Sequence, residues 1–285
     1  MSDRFLDLPE ERSDPATARY GLLPVPYDGT ATGYPGTAAG PLAIIEASAH
    51  IPAFDRHLKR DISAAGIATY PVVHPSPGPE DQVERVRDAA GLIVREGKFL
   101  LMLGGEHSIT IGAFEAVAEA HAPLSILQID AHADLRDHYN GTEFGHLCVM
   151  RRLLPTADRI CQVGIRSYSR QEYDQCRDLA ENFITPEMIR RDPGWIDRAV
   201  AMLGPNVYVT VDVDGFDPSI APGTILPEPD GLSWTDVTAL LRRVCAERQV
   251  VAADIVNVRP GRDSQVTAFL AARLACEIIA HTQRD

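Results

Sequence analysis

The sequence predicts an α/β protein whose mainly parallel sheet is covered by helices on both faces, and three observations carry that prediction. Short apolar runs recur along the chain and are continuous rather than alternating, as strands buried on both faces require. Amphipathic helical patterns lie between them, so strand and helix alternate in order. No stretch is long and polar enough to act as a linker, so residues 1–285 are expected to form one domain.

The expected strands are Tyr20–Val25, Phe99–Leu103, Leu124–Ile129, Ile160–Ile165, Val207–Val213 and Val250–Val258. The clearest helix is Glu80–Arg95, where Val83, Val86, Ala90 and Ile93/Val94 recur at spacings of three and four with charges on the other side. Pro79 and Glu80 open it and Gly97 closes it. Ile111–Ala120, Asp197–Leu203, Thr235–Ala246 and Thr267–Ile279 show the same period. The Pro/Gly-rich stretches Val25–Pro41, His74–Pro79 and Ser219–Gly231 are expected to be loops. Ligands of such sheets sit at the carboxyl ends of the strands.

The composition narrows the function. With 285 residues, 45% hydrophobic and 24% charged, the chain can bury a large core without disulfides or structural metals, so a metal here would serve chemistry. A net charge of −13 argues against nucleic acid or an anionic membrane as partner. It suits a cationic small substrate, although acidic surfaces are common for solubility alone. Cys148, Cys161, Cys176, Cys245 and Cys276 are odd in number, scattered and free of any CxxC pair, which implies reduced thiols and a cytoplasmic protein. The acidic start, MSDRFLDLPEERSD, lacks a basic segment followed by an apolar one, so no signal peptide is expected. No apolar run approaches the roughly 20 residues of a spanning helix.

Three expected strands run into metal-ligand residue types: Glu106-His107-Ser108 after Gly104-Gly105, Asp130-Ala131-His132-Ala133-Asp134, and Asp212-Val213-Asp214. Side chains two apart on extended backbone share a face, so Asp130, His132 and Asp134 should converge, as should Asp212 and Asp214. Carboxylates gathered at a buried strand end repel and are costly to desolvate unless a cation neutralises them. A lone DxD is commonly a cap or a solvated pair, and a lone histidine after two glycines commonly a helix-entry residue. All three motifs together, each closing an apolar run, are hard to explain by stability. Four aspartates and two histidines exceed the needs of one catalytic zinc and suit two divalent ions. Mixed carboxylate and imidazole ligation favours manganese and leaves iron, nickel, cobalt and zinc open.

On these motifs the chain resembles the arginase/agmatinase (ureohydrolase) family, most closely its agmatinase-like members. The likeness rests on GGEHS at 104–108, DAHADLRD at 130–137, FGHLCVMRR at 144–152, VDVDGFDPSIAPGT at 211–224, PEPDGL at 227–232, PYDGT…PGTAAGP at 26–41 and QVGIRS at 162–167. The resemblance implies a three-layer α/β/α fold with an eight-stranded, mainly parallel sheet, two Mn²⁺ ions per subunit, and a homotrimer or homohexamer. It implies that Asp130 and Asp212 bridge the ions, that His107 and Asp134 complete one shell, and that His132 and Asp214 complete the other. Asp134 would also orient solvent between the ions, whose charge lowers the pKa of water towards neutrality. The reaction implied is hydrolysis of a guanidino C–N bond to urea and an amine. His146 then protonates the leaving amine, because histidine titrates near working pH.

The chain departs from the family at one place. Asn257, in Asp254-Ile255-Val256-Asn257, stands where the family carries a glutamate that pairs with the guanidinium. Asparagine cannot form the bidentate charged fork of a carboxylate. Three accounts follow: a less basic amidine, hydroxyguanidine, formimino or amide substrate; another carboxylate such as Glu143 reaching in; or a metal-binding homologue without turnover. The complete ligand set argues against the last. His146, Asn257 and Glu143 are therefore the candidate substrate-binding residues, and agmatine the leading kind of substrate.

Overall fold

The computed structural model describes residues 3–32, 34–261 and 265–283. Met1 and Ser2 of the N-terminal stretch and Gly33 of the 25–41 loop lie outside the described residues. Nine strands occur among those described: β1 (Tyr20–Val25), β2 (Phe54–Asp55), β3 (Arg60–Asp61), β4 (Ile67–Thr69), β5 (Phe99–Gly104), β6 (Leu124–Ile129), β7 (Ile160–Val163), β8 (Asn206–Asp212) and β9 (Gln249–Val256). Seven of them form one sheet in the order β4-β1-β5-β9-β8-β6-β7, and β2 and β3 make a separate small hairpin. Every neighbour pair in the large sheet is parallel.

The two sides of each strand serve different cores, which is why the runs are continuous. Leu101, Leu127, Val209 and Ala253 face one side with Ile44, Trp195, Leu240 and Leu274 of the helices there. Leu100, Ile126, Tyr208 and Ala252 face the other with Val86, Ile93, Phe114 and Met150. The result is three layers, α/β/α, as the resemblance implied. Helix Pro79–Arg95 buries Val83, Val86, Ala90, Ile93 and Val94, the predicted stripe. It is stopped by Gly97 at φ 73°, a left-handed conformation that glycine adopts without steric cost.

The sheet has seven strands where eight were expected. At the outer edge of β7 the described residues make a single bridge, Val163 to Ile184. Thr185 caps a new helix on Met188 N and Pro186 lacks an amide hydrogen, so pairing cannot extend. The elements that were not anticipated include the three-residue edge strand β4 and helix Gly40–Ser48, which packs its Ile44 and Ile45 into the core.

Candidate metal centre

The four adjacent central strands β5, β9, β8 and β6 end at one place, and each delivers polar residues just past its last pairing. β5 leads into Glu106 and His107, β6 into Asp130, His132 and Asp134, β8 into Asp212 and Asp214, and β9 into Asn257. The turn after β5 passes so close to the end of β1 that a Cβ on Gly105 would lie 2.0 Å from Tyr27 O. Only glycine lets that strand end swing His107 inward.

The expected convergence occurs, but not by strand alternation. The sheet strand ends at Ile129, and Asp134 turns its carboxylate towards His107 through a left-handed backbone at φ 52°. Asp214 sits in a 3-10 turn, Val213–Gly215, nucleated by Asp212, whose carboxylate accepts from Asp214 N at 2.9 Å. Turns replace pleat because a period of two aims side chains along parallel lines, whereas a coordination shell needs them to meet.

The side chains form two groups that share Asp130. His107, Asp130 and Asp212 offer ligand atoms within 4.8 Å of one another, and so do Asp130, His132 and Asp214. His107 Nδ1 lies 2.9 Å from Asp134 Oδ2 and 3.0 Å from Asp130 Oδ2. His132 Nδ1 lies 3.1 Å from Asp214 Oδ2. Neighbouring ligands on bonds of about 2.1 Å stand about 3 Å apart, so these distances suit coordination. His107 Nε2 is engaged with Thr210 Oγ1 at 2.9 Å, and that hydroxyl donates to Asp254 Oδ1 at 2.6 Å. Asp254 also accepts from Tyr208 and Thr110. A proton of His107 is thereby fixed on Nε2, and its buried Nδ1 points at Asp134 and Asp130; burial lowers the imidazole, but these two carboxylates outweigh it and raise it well above its ordinary value. A nitrogen that holds a proton this tightly among carboxylates fits a metal cation in the proton's place.

The electrostatics agree. Burial pushes Asp134 up to about 7, with the charge of Asp130 adding to it. Burial, then Asp214 and Asp130, drive Asp212 well above the carboxylate range. Burial lowers the imidazole of His132, but Asp214 and Asp130 outweigh it and raise it to about 12. Of the four carboxylates only Asp130 is held below the usual range, because His107 and His132 outweigh its burial, so without metal the protons sit on the two histidines and the other three aspartates.

His146 lines the same narrow cleft and is buried. Burial, then the charges of His132 and His107, pull it down to about 4, so it is neutral at ordinary pH and does not titrate near working pH as the sequence led one to expect. Asn257 also lines the cleft, at φ 70°. Its amide donates to Asp212 Oδ1 at 2.9 Å and Asp214 Oδ2 at 3.0 Å, while its buried Oδ1 has no partner. Glu143 is not among the lining residues; Arg152 holds it in an ion pair, together with Asp137. Sequence reasoning passed over Thr210, Asp254, Thr30 and Glu228. A lone aspartate inside the apolar run of β9 was the signal for Asp254. Glu228, within the quoted PEPDGL, brings a carboxylate to 4.0 Å from His132 Nε2.

The Arginase family model matches residues 18–281. The chain belongs to the arginase family. It is 34% identical to an N(1)-aminopropylagmatine ureohydrolase of Synechocystis, over 93% of this chain and 90% of that one. The solved agmatine ureohydrolase of Thermoplasma volcanium superposes with a TM-score of 0.88 at 31% identity, covering 99% of this chain and 95% of the other. The proclavaminate amidino hydrolase of Streptomyces clavuligerus gives 0.89 at 27%, covering 99% and 97%. This arginase-family chain is accordingly a hydrolase of C–N bonds of the ureohydrolase type. Among its described residues no helix is long and apolar enough to cross a membrane.

Proposed function

We propose that this arginase-family chain is a two-manganese ureohydrolase that releases urea from a guanidino compound with an aliphatic amine tail, of the agmatine or aminopropylagmatine kind. The observation that carries the reading is the pair of His/Asp groups sharing Asp130 at the carboxyl ends of four adjacent strands. Asp130 and Asp212 would be shared by the two ions, with His107 and Asp134 completing the shell of one and His132 and Asp214 that of the other. Bound there, the ions supply a water activated for attack near neutral pH. Asp134 orients that water, and His146, neutral and within the cleft, carries a proton to the leaving amine. The names of the relatives support the amine tail, and Glu228 provides a half-exposed carboxylate beside His132. The five free cysteines support a cytoplasmic setting. A homotrimer or homohexamer belongs to the same reading, and light scattering on the purified protein tests it.

One observation favours a second reading. Asn257 spends both amide hydrogens on Asp212 and Asp214 and presents only a neutral carbonyl. Four carboxylates balance two divalent ions and leave no charge over for a guanidinium. An unpaired buried cation costs on the order of 3–5 kcal/mol, so a less basic amidine, hydroxyguanidine or acylguanidine suits this wall of the cleft.

The test is urea release by manganese-loaded protein from aminopropylagmatine, agmatine, arginine, 4-guanidinobutyrate, a hydroxyguanidine and an acylguanidine. Turnover of agmatine or aminopropylagmatine at ordinary enzyme rates supports the first reading. Turnover of the hydroxyguanidine or acylguanidine alone, with two metals bound, transfers the assignment to the second.

A further inference from the structure

We propose that Glu106 and Thr30 are positioning residues that fix the tautomer of His146, placing its proton on Nδ1 and leaving Nε2 as the proton-accepting atom. Glu106 is buried, and three donors converge on it: Thr30 N at 2.8 Å on Oε2, and Thr30 Oγ1 at 2.5 Å and Ser108 Oγ at 2.6 Å on Oε1. A hydroxyl has one hydrogen and two lone pairs. Burial pushes Glu106 up to about 7, but the three donors favour its ionised form, in which the hydrogen of Thr30 is committed to Glu106 and its oxygen can only accept elsewhere. It does so from His146 N at 3.0 Å, and its remaining lone pair faces His146 Nδ1 at 3.4 Å. Two lone pairs cannot bond to each other, so Nδ1 must carry the hydrogen. Nε2 is then bare, and Thr32 Oγ1, 3.1 Å away, is its donor.

The choice of nitrogen matters for the reaction proposed above, on which this inference rests. Starting bare, Nε2 takes one proton from the attacking water as its oxygen bonds to the amidine carbon. The same atom hands that proton to the leaving nitrogen as the C–N bond breaks. The imidazole ends as it began, and the sum is addition of one water. With the proton on Nε2 at the outset, that atom could not accept, and the cycle would begin from the wrong form. The carboxylate of Glu106 joins the turn after β5 to Thr30 of the PYDGT loop.

The direct test is imidazole ¹⁵N NMR of the full chain, metal-free and loaded with diamagnetic zinc, with His146 assigned by its loss in His146→Asn. The expected result is a protonated Nδ1 and a bare Nε2 in the parent and in Thr30→Ser. Thr30→Val and Glu106→Gln should shift the proton towards Nε2, since the glutamine amide can donate to Thr30 and free its hydroxyl to donate to Nδ1. A parent with the proton on Nε2, or a pattern unmoved in both variants while they remain folded, overturns the proposal. Kinetics with manganese-loaded protein and agmatine or whichever guanidine it hydrolyses should show kcat reduced about tenfold or more in Thr30→Val with KM little changed, and restored in Thr30→Ser. Full activity in His146→Asn would instead overturn the proton-carrying role of His146, while the NMR result would still decide the tautomer.

Discussion

Thr210→Val is the substitution that most directly probes the metal centre, because it removes one hydroxyl and almost no volume. That hydroxyl is buried between His107 Nε2 and Asp254 Oδ1. Valine leaves the buried His107 N–H with no acceptor. An unsatisfied buried donor costs about 1–3 kcal/mol, and the lost bond to the carboxylate about 1.5–3 kcal/mol. Part of the total falls on folding and part on the metal, because a free imidazole can turn away from the site. Loss of an outer partner of a ligating histidine commonly weakens metal binding about 10–100-fold. Manganese affinity from chelator competition and stability from urea denaturation of the metal-free protein separate the two parts. Thr210→Ser should restore both. A Val variant that binds manganese within twofold of the parent would refute the claim that this hydroxyl holds His107 for coordination.

Three further outcomes are expected. Arg166 donates to the carbonyls of Gly164, Asp214, Gly215, Phe216, Glu228 and Pro229, tying three loops behind Asp214. Arg166→Met should cost about 2–4 kcal/mol in denaturation and weaken one metal more than the other in a titration. Glu277 is held down to about 2 by His281 and Arg242, against an ordinary 4.5. A lowered carboxylate contributes stability above pH 4.5 that is lost as pH falls towards 2. The full linkage of about 3 kcal/mol, reduced for partial exposure, leaves about 1–2 kcal/mol. Glu277→Gln should show that gap in urea denaturation at pH 7 and lose it near pH 2. Stripping the metal should reverse the usual pH trend at neutrality. Asp134 is raised to about 7, so its contribution is present below pH 3.8 and is lost as pH rises through 7. The metal-free protein should melt lower at pH 8 than at pH 6, and added manganese should erase that difference.

What was legible in the sequence divides along a physical line. The strands whose two faces are both buried, such as β1 and β6, were read to the residue because continuous burial leaves a continuous apolar run. The edge strand β4 has three residues and one partner, so it imposes no such run. The metal-ligand residue types were legible because four carboxylates at buried strand ends have few other uses. Their geometry was not: the left-handed turn at Asp134 and the 3-10 turn at Asp214 are set by packing, and aspartate tolerates both. Nor could spacing reveal that Glu143 pairs with Arg152.

Asn257 shows why identity alone was insufficient at the position that departs from the family. From the sequence, the asparagine counted only as a lost carboxylate. In the structure its two donors each meet a different aspartate, one from each group of candidate ligands. A glutamate in the same left-handed position would lose both donations and add a like charge beside Asp212 and Asp214. Asn257→Glu should therefore destabilise the metal-free protein in urea denaturation and tighten manganese binding when no substrate is present, because the cations relieve the added repulsion. It should also raise the preference for agmatine over a neutral acylguanidine, since the new carboxylate is paired only when a cation fills the cleft. Metal affinity unchanged by the substitution would mean that the added charge does not bear on the centre. Unchanged preference would mean that position 257 does not read the charge of the substrate. The two measurements fail independently, because one reports the repulsion beside Asp212 and Asp214 and the other the group that faces the cleft.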